Sequence, residues 1–130
     1  MSISEIRTGD APAPVGPYSQ AVLAGDIIFC AGQIPLDPAI GEMVVTNIEA
    51  ETSRVMDNLA AVLKAAGSSL DNVAKTTIFV TDMNDFSRIN TVYGTYFNSG
   101  VKPARATVQV AALPKGAHVE IECIAIRQGE

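Results

Sequence analysis

Two charged residues in the C-terminal quarter of the chain are the first candidates for chemistry. Arg105 begins the segment "RATVQV", and Glu120 lies in "HVEIECIAI". The planar guanidinium of an arginine can form two parallel charged hydrogen bonds with a carboxylate, so Arg105 could bind a small acid. A carboxylate in a partly apolar cleft has a raised pKa and can move a proton near neutral pH, so Glu120 could act on such a substrate. Spacing alone leaves two alternatives open, a structural salt bridge for Arg105 and an interface carboxylate without chemistry for Glu120.

Three other polar residues are weaker candidates. Tyr18 lies in "GPYSQ", where it could line a pocket or simply pack, and Asn90 lies on a predicted helix, where it could be surface. His118 has no carboxylate or cysteine at ligand spacing, which argues against a zinc site. No segment resembles a nucleophile elbow, so we expect His118 to be a surface residue at a strand start, without a catalytic partner. Walker-type and dinucleotide glycine patterns do not occur.

The segment that contains Glu120 also indicates how the sheet is arranged. Successive side chains of a strand point to opposite faces. One face of "HVEIECIAI" is apolar, whereas the other begins with Glu120 and Glu122 and ends with Ile124 and Ile126. Such a face suits neither solvent nor a monomer core, so we expect it to turn toward other subunits. Glu122 receives no chemical role and is interpreted as a structural carboxylate.

Apolar periodicity predicts the order β-β-α-β-α-β-β, with a further short strand near Ser2–Arg7 as an option. Gly25 and the following aspartate predict a hairpin between strands near Ser19–Leu23 and Ile27–Ala31, and "PLDPAIGE" follows as a loop. "NVAKTTIFVT", "ARATVQVAAL" and "HVEIECIAIR" are typical of strands. This pattern indicates an α+β fold, a two-layer sandwich with both helices on one face of a mixed sheet.

The two helices are predicted from single apolar stripes. A capping box of Thr46 and Glu49 begins the first helix and Gly67 ends it. Its stripe comprises Ile48, Thr52, Val55, Leu59, Val62 and Ala66. Asp82 or Asn84 is expected to cap the second helix, which ends near Gly100 and whose apolar side comprises Phe86, Ile89, Tyr93 and Tyr96–Phe97.

Size and composition narrow the class of protein. A chain of 130 residues is expected to form one domain, residues 1–130. Its 48% hydrophobic content supports a real core, and its net charge of −5 without a basic stripe argues against general nucleic-acid binding. The absence of a long apolar run or signal peptide predicts a cytosolic protein. Cys30 and Cys123 are expected to be buried thiols rather than a disulfide.

Four longer motifs, in order and at the right spacing, resemble the RidA (YjgF/YER057c/UK114) family. They are "APAPVGPYSQAV", "AGQIPLDPAIGE", "VAKTTIFVTDMNDFSRIN" and "PARATVQVAALPKGAHVEIECIAIR", and they span nearly the whole chain. The resemblance implies a chorismate-mutase-like α+β fold and a homotrimer with a barrel-like centre and clefts between subunits. It also implies an enamine/imine deaminase that hydrolyses 2-imino acids derived from 2-aminoacrylate and related enamines to 2-oxo acids and ammonia. Neither a metal nor an organic cofactor is implied.

The resemblance assigns roles to residues of this chain. Arg105 is implied to bind the substrate carboxylate, Glu120 to assist the attacking water, and Tyr18 to line the pocket. The backbone of Gly32 is implied to help place substrate or water, and Asn90 is a further substrate-binding residue. The chain departs from many members at two pocket positions, since it has Thr107 where they have cysteine and Ala31 where they have serine. Thr107 argues against thiol chemistry there but is kept as a substrate-binding candidate, and Ala31 is expected to alter the range of substrates.

Three functions therefore remain in competition. The leading hypothesis is a 2-iminobutanoate/2-iminopropanoate deaminase. The first alternative is an endoribonuclease or translation inhibitor, against which the acidic charge and the lone histidine argue. The second is a non-catalytic trimer that senses a small keto or imino acid; it would need Arg105 but would have no use for a carboxylate such as Glu120.

Overall fold

Six strands form one mixed sheet. The computed structural model describes residues 2–128, and its strands are β1 (Ile3–Ile6), β2 (Ala21–Ala24), β3 (Ile27–Gln33), β4 (Leu36–Asp37), β5 (Glu42–Met43), β6 (Val73–Val80), β7 (Ala104–Gln109) and β8 (Val119–Ile126). The sheet order is β1-β2-β3-β8-β6-β7. Among the strands of residues 2–128, only β6 and β7 pair in parallel. The predicted strand order is confirmed, including the short strand near the N-terminus, and β7 lies at an edge.

One predicted loop is wrong. In "PLDPAIGE", β4 and β5 pair as a small separate hairpin, because Gly41 takes a φ of 71° at the turn and the Gly41 N–H bonds to the carbonyl of Asp37 at 2.8 Å. The predicted hairpin at Gly25 is confirmed, with φ of 63° there. Its first strand begins at Ala21, two residues later than predicted.

The first helix, α1, spans Ile48–Ala65. The predicted capping box is wrong, because the chain is still extended at Asn47 and that residue is the cap: its Oδ1 accepts from the Ala50 N–H at 2.7 Å. The predicted apolar stripe is buried along its whole length. Gly67 follows the helix with a φ of 77°, as its predicted role requires.

The second helix, α2, spans Phe86–Thr95 and is shorter than predicted. Asp82 is the effective cap, since its carboxylate accepts from the Asn84 N–H at 2.9 Å, but it caps a 3₁₀ turn that leads into the helix. The Tyr96 N–H bonds to the carbonyl of Tyr93 three residues back, and this tighter turn ends the helix well before Gly100. The buried Phe97 therefore packs from the loop.

Both helices cover the same face of the sheet, as predicted. The covered side chains of β8 are almost fully buried. The opposite face carries large apolar side chains that are 36% to 53% exposed, namely Ile27, Phe29, Val108, Ile124 and Ile126. Exposed large apolar side chains grouped on one face of a sheet mark an interaction surface. The alternation predicted for "HVEIECIAI" is thereby confirmed.

The two cysteines lie opposite each other on β3 and β8. Cys30 pairs with Cys123 in the strand register, and both are buried free thiols. The hydrogen bond that the Cys123 thiol donates to Cys30, together with burial, raises the pKa of Cys123. A thiol held in its neutral form is a poor nucleophile, which supports the interpretation of this pair as core.

Candidate functional site

Glu120 lies in a cavity on the sheet face that the helices leave uncovered. The cavity has a volume of about 310 Å³. Its lining is mostly apolar and consists of Val15, Tyr18, Ala31, Gly32, Ile34, Pro114 and Glu120. The structure therefore brings together three of the predicted site residues. Gly32 lies on β3, Glu120 on β8, and Tyr18 in the proline-rich segment that precedes β2.

Glu120 occupies the space that a side chain at position 32 would fill. The register of β3 against β8 shifts between Cys30 and Gln33, and Gly32 lies in this irregular stretch. A Cβ on Gly32 would lie 2.8 Å from Cδ and 3.0 Å from Cγ of Glu120, and would overlap the carboxylate oxygen Oε2. Gly32 is thus required as the residue that leaves room for the Glu120 carboxylate.

The surroundings of Glu120 favour its protonated form. Partial burial raises its pKa above the usual range, and the Glu122 carboxylate on the same face of β8 raises this pKa further. Both effects disfavour the negative charge. A carboxyl group with a raised pKa can hold and release a proton closer to neutral pH.

Arg105 lies in a different cavity, beside α2. This cavity has a volume of about 290 Å³ and is lined by Asn90, Tyr93, Gly94, Phe97, Lys102, Pro103 and Arg105. Arg105 donates from Nη1 to Oδ1 of Asn90 at 2.7 Å. Its guanidinium carbon lies 5.5 Å from the ring centroid of Phe86 and 5.0 Å from that of Tyr93. These contacts orient the guanidinium through cation–π interactions.

The predicted alternative for Arg105, a structural salt bridge, has no counterpart among the ion pairs of residues 2–128. Asn90, which could have been ordinary helix surface, instead orients the arginine.

Thr107 lies two residues further along β7 on the same face. Its hydroxyl oxygen is buried and, within the described part of the chain, has no hydrogen-bond partner. A buried hydroxyl without a partner is unusual in a native structure.

The two cavities lie on opposite sides of the sheet. Arg105 pairs with Thr76 of β6, which is buried under the helices. Glu120 pairs with Phe79 of the same strand, which points to the uncovered face. A single chain therefore does not bring Arg105 and Glu120 together.

His118 has a partner that the sequence did not reveal, so the expectation that it lacks one is wrong. Glu51, in the first turn of α1, is 2% exposed. Its Oε2 lies 2.7 Å from Nδ1 of His118, and its Oε1 accepts from the His118 backbone N–H at 3.0 Å. The imidazole remains about half exposed, as expected for a strand start. The two residues are 67 positions apart, so no local spacing links them.

Within residues 2–128, no three histidine, cysteine, aspartate or glutamate side chains are close enough together to hold a metal ion. None of the helices in this part of the chain is long and apolar enough to cross a membrane.

Comparison with known proteins places this fold and these motifs in one family. The family model described as "Endoribonuclease L-PSP" matches residues 8–127. The mouse protein named 2-iminobutanoate/2-iminopropanoate deaminase is 50% identical over 122 residues, which cover 94% of this chain and 90% of the mouse protein.

Two solved structures have the same fold. YyfA of Yersinia pestis, described as a protein of unknown function of the conserved Rid family, is 48% identical with a TM-score of 0.94, and the match covers 96% of this chain and 99% of YyfA. E. coli TdcF with bound serine is 41% identical with a TM-score of 0.92, at 96% and 99% coverage. The predicted resemblance is confirmed: the chain belongs to the RidA family, whose family model is described as endoribonuclease L-PSP.

Proposed function

We propose that this protein hydrolyses small 2-imino acids, the tautomers of enamines such as 2-aminoacrylate, to 2-oxo acids and ammonia. The observation that carries the proposal is the pair of half-sites. One presents an oriented guanidinium, Arg105, in a shallow cavity. The other presents a carboxyl group of raised pKa, Glu120, in a mostly apolar cavity. A 2-imino acid needs a cation for its carboxylate and a proton-transfer group at its C=N carbon.

The complete site requires two copies of the chain. The strands that carry Arg105 and Glu120 are separated by β6, roughly 10 Å between backbones, and the side chains point to opposite faces. A three- or four-carbon acid cannot contact both within one chain. The apolar uncovered face and the edge strand β7 are suited to bring a neighbouring copy into place. A closed ring gives every copy the same contact, and the proposed assembly is a homotrimer with its clefts between subunits.

The proposed reaction needs only groups of this chain and one water molecule. Arg105 binds the carboxylate of the protonated imine, and Asn90 keeps the guanidinium in place. Water adds its oxygen to the C=N carbon and gives a proton to the Glu120 carboxylate. Glu120 then returns this proton to the nitrogen. The C–N bond breaks while the hydroxyl group on the same carbon gives its proton to the departing ammonia, so the products are the 2-oxo acid and ammonium. Glu120 ends in the form in which it began.

The remaining site residues have supporting roles. Tyr18 forms a wall of the Glu120 cavity, and Gly32 leaves the space for the carboxylate. Thr107 remains a proposed substrate-binding residue because it lies two residues beyond Arg105 on the same face of β7 and its buried hydroxyl has no partner within the described residues. The name of the mouse relative and the serine bound to TdcF support a small amino-acid-like substrate.

The direct test generates 2-aminoacrylate with a serine dehydratase and follows the appearance of pyruvate and ammonia. The purified protein should accelerate this step over spontaneous hydrolysis. Arg105→Ala should chiefly raise KM, because it removes the carboxylate contact, whereas Glu120→Gln should chiefly lower kcat. No acceleration by the wild-type protein would refute the proposed function, and an Arg105→Ala variant as active as wild type would refute the site.

One observation keeps endoribonuclease activity as a second candidate. The pairing of His118 with a buried carboxylate gives the histidine the fixed orientation that a general base requires. The test is cleavage of a labelled RNA by the purified protein. Loss of cleavage in His118→Ala, with cleavage retained in Glu120→Gln, would assign the activity to the histidine. No cleavage by the wild-type protein would dismiss this candidate.

A further inference from the structure

We infer that Gln20 is a positioning residue for the Glu120 cavity, because it holds the proline-rich segment that carries Val15 and Tyr18. The inference rests on the proposed function. The segment, residues 8–19, forms one wall of the cavity through these two side chains. It belongs to no strand or helix, so something other than regular secondary structure must fix it.

The Gln20 side chain supplies this connection. It is 2% exposed, and its Oε1 accepts from the Thr8 N–H at 2.7 Å. Its Nε2 shares its two hydrogens among the carbonyls of Thr8 at 3.0 Å, Ala11 at 3.3 Å and Pro12 at 2.9 Å. One buried amide therefore connects Thr8, at the start of the segment, with Ala11 and Pro12 near its middle.

The other end of the connection is the strand that carries Gly32. The backbone carbonyl of Gln20 accepts from the Ala31 N–H at 2.9 Å. Gln20 thus links the segment to β3 one residue before Gly32, where the Glu120 carboxylate lies.

Within residues 2–128, the other hydrogen bonds of the segment are local. The Asp10 N–H bonds to the Thr8 hydroxyl, the Tyr18 N–H to the Gly16 carbonyl, and the Val15 N–H to the Tyr18 hydroxyl. Such bonds shape the segment but do not attach it to the sheet. The sequence explains why a side chain is needed, since Pro12, Pro14 and Pro17 have no N–H to donate.

The consequence for catalysis passes through Tyr18. With Gln20 truncated, Tyr18 and Val15 are no longer held against the cavity, and the substrate is less well placed near Glu120. The expected effect is a drop of about tenfold in kcat/KM, mainly through KM, because the wall of the cavity that contacts the substrate is no longer fixed.

The test is a double-mutant cycle with 2-aminoacrylate-derived substrate and the variants Gln20→Ala, Tyr18→Ala and the pair. If Gln20 acts through Tyr18, the double variant should be no less active than Tyr18→Ala alone. Gln20→Glu keeps the acceptor for Thr8 but loses all three donated bonds, and should behave like Gln20→Ala. Gln128→Ala, at an exposed glutamine, is the matched control and should match wild type.

Two results would overturn the inference. One is a double variant whose loss in kcat/KM equals the product of the two single-variant losses, because the residues then act independently. The other is a Gln20→Glu variant with wild-type kcat/KM. Hydrogen exchange tests the role of Gln20 independently of the proposed deaminase activity. In hydrogen exchange, Gln20→Glu should speed exchange of the Val15 and Tyr18 amides and leave β8 protected. If the wild-type protein has no deaminase activity, this exchange result still decides whether Gln20 holds the segment: unchanged Val15 and Tyr18 rates would refute it.

Discussion

Replacing Gly32 with alanine tests whether the position of the Glu120 carboxyl group matters for the reaction. Gly32 does not have a positive φ, so alanine can adopt the same backbone conformation and the effect comes from the methyl group alone. The new Cβ would lie 2.8 Å from the carboxyl carbon of Glu120. To reach ordinary van der Waals contact, that carbon must move by at least about 0.7 Å or the strand must shift.

A displacement of this size is large for a group that transfers protons. A misplacement near 1 Å can reduce turnover about 100-fold, so we expect kcat to fall about 10- to 100-fold in Gly32→Ala. The melting temperature should change little, since alanine is at least as favourable as glycine in a strand. The assay is deamination of 2-aminoacrylate-derived substrate, with thermal unfolding measured on the same samples.

Two comparisons make this prediction specific. Gly9→Ala is the matched control, because a Cβ at Gly9 meets no atom within 4 Å, and it should retain wild-type kcat. Adding Gly32→Ala to Glu120→Gln should cause little further loss, because both changes act on one carboxyl group. A folded Gly32→Ala protein with wild-type kcat would refute the role given to the Glu120 position.

Three further predictions concern charge. Glu122→Gln removes a negative charge that raises the pKa of Glu120, so the acidic limb of kcat/KM and the NMR titration of the Glu120 carboxyl should move to lower pH; a limb that stays or rises would contradict this. His118→Ala deprives the buried Glu51 carboxylate of one hydrogen bond and should lower the free energy of unfolding in urea by about 1–3 kcal/mol, whereas an unchanged value would show the pair to be inert. Arg105→Lys keeps the charge but loses the planar fork, so KM should rise about tenfold, and a wild-type KM would exclude bidentate binding.

The fold could be predicted largely from the sequence because its periodicities are regular. Along α1 every residue of the apolar stripe is buried, and along β8 buried side chains alternate without a break with exposed or partly exposed ones. Boundaries were harder to predict. Thr46 and Asn47 are adjacent and both can cap a helix, and the choice depends on where the chain turns, which neither residue reveals alone.

The sequence indicated individual residues of the site but not how they are arranged in space. The sequence identified Arg105 and Glu120 but could not show that they point to opposite faces, because this depends on how β7 and β8 each pair with β6. Glycine is needed at position 32 because the Glu120 side chain of the neighbouring strand occupies the space beside it. The segment "AGQI" alone does not indicate this contact. The pairing of Glu51 with His118 likewise joins distant parts of the chain.

The central claim is that the deaminase site combines Arg105 of one copy with Glu120 of another, and mixed assemblies test it most directly. Arg105→Ala and Glu120→Gln proteins are co-refolded in equal amounts and assayed with 2-aminoacrylate-derived substrate well below KM, where each variant alone has little activity. A site shared between neighbours predicts recovery to about one quarter of wild-type activity, because one in four neighbouring pairs then has both intact residues. Activity no higher than that of the separate variants, in a mixture shown to contain mixed assemblies, would contradict the shared site.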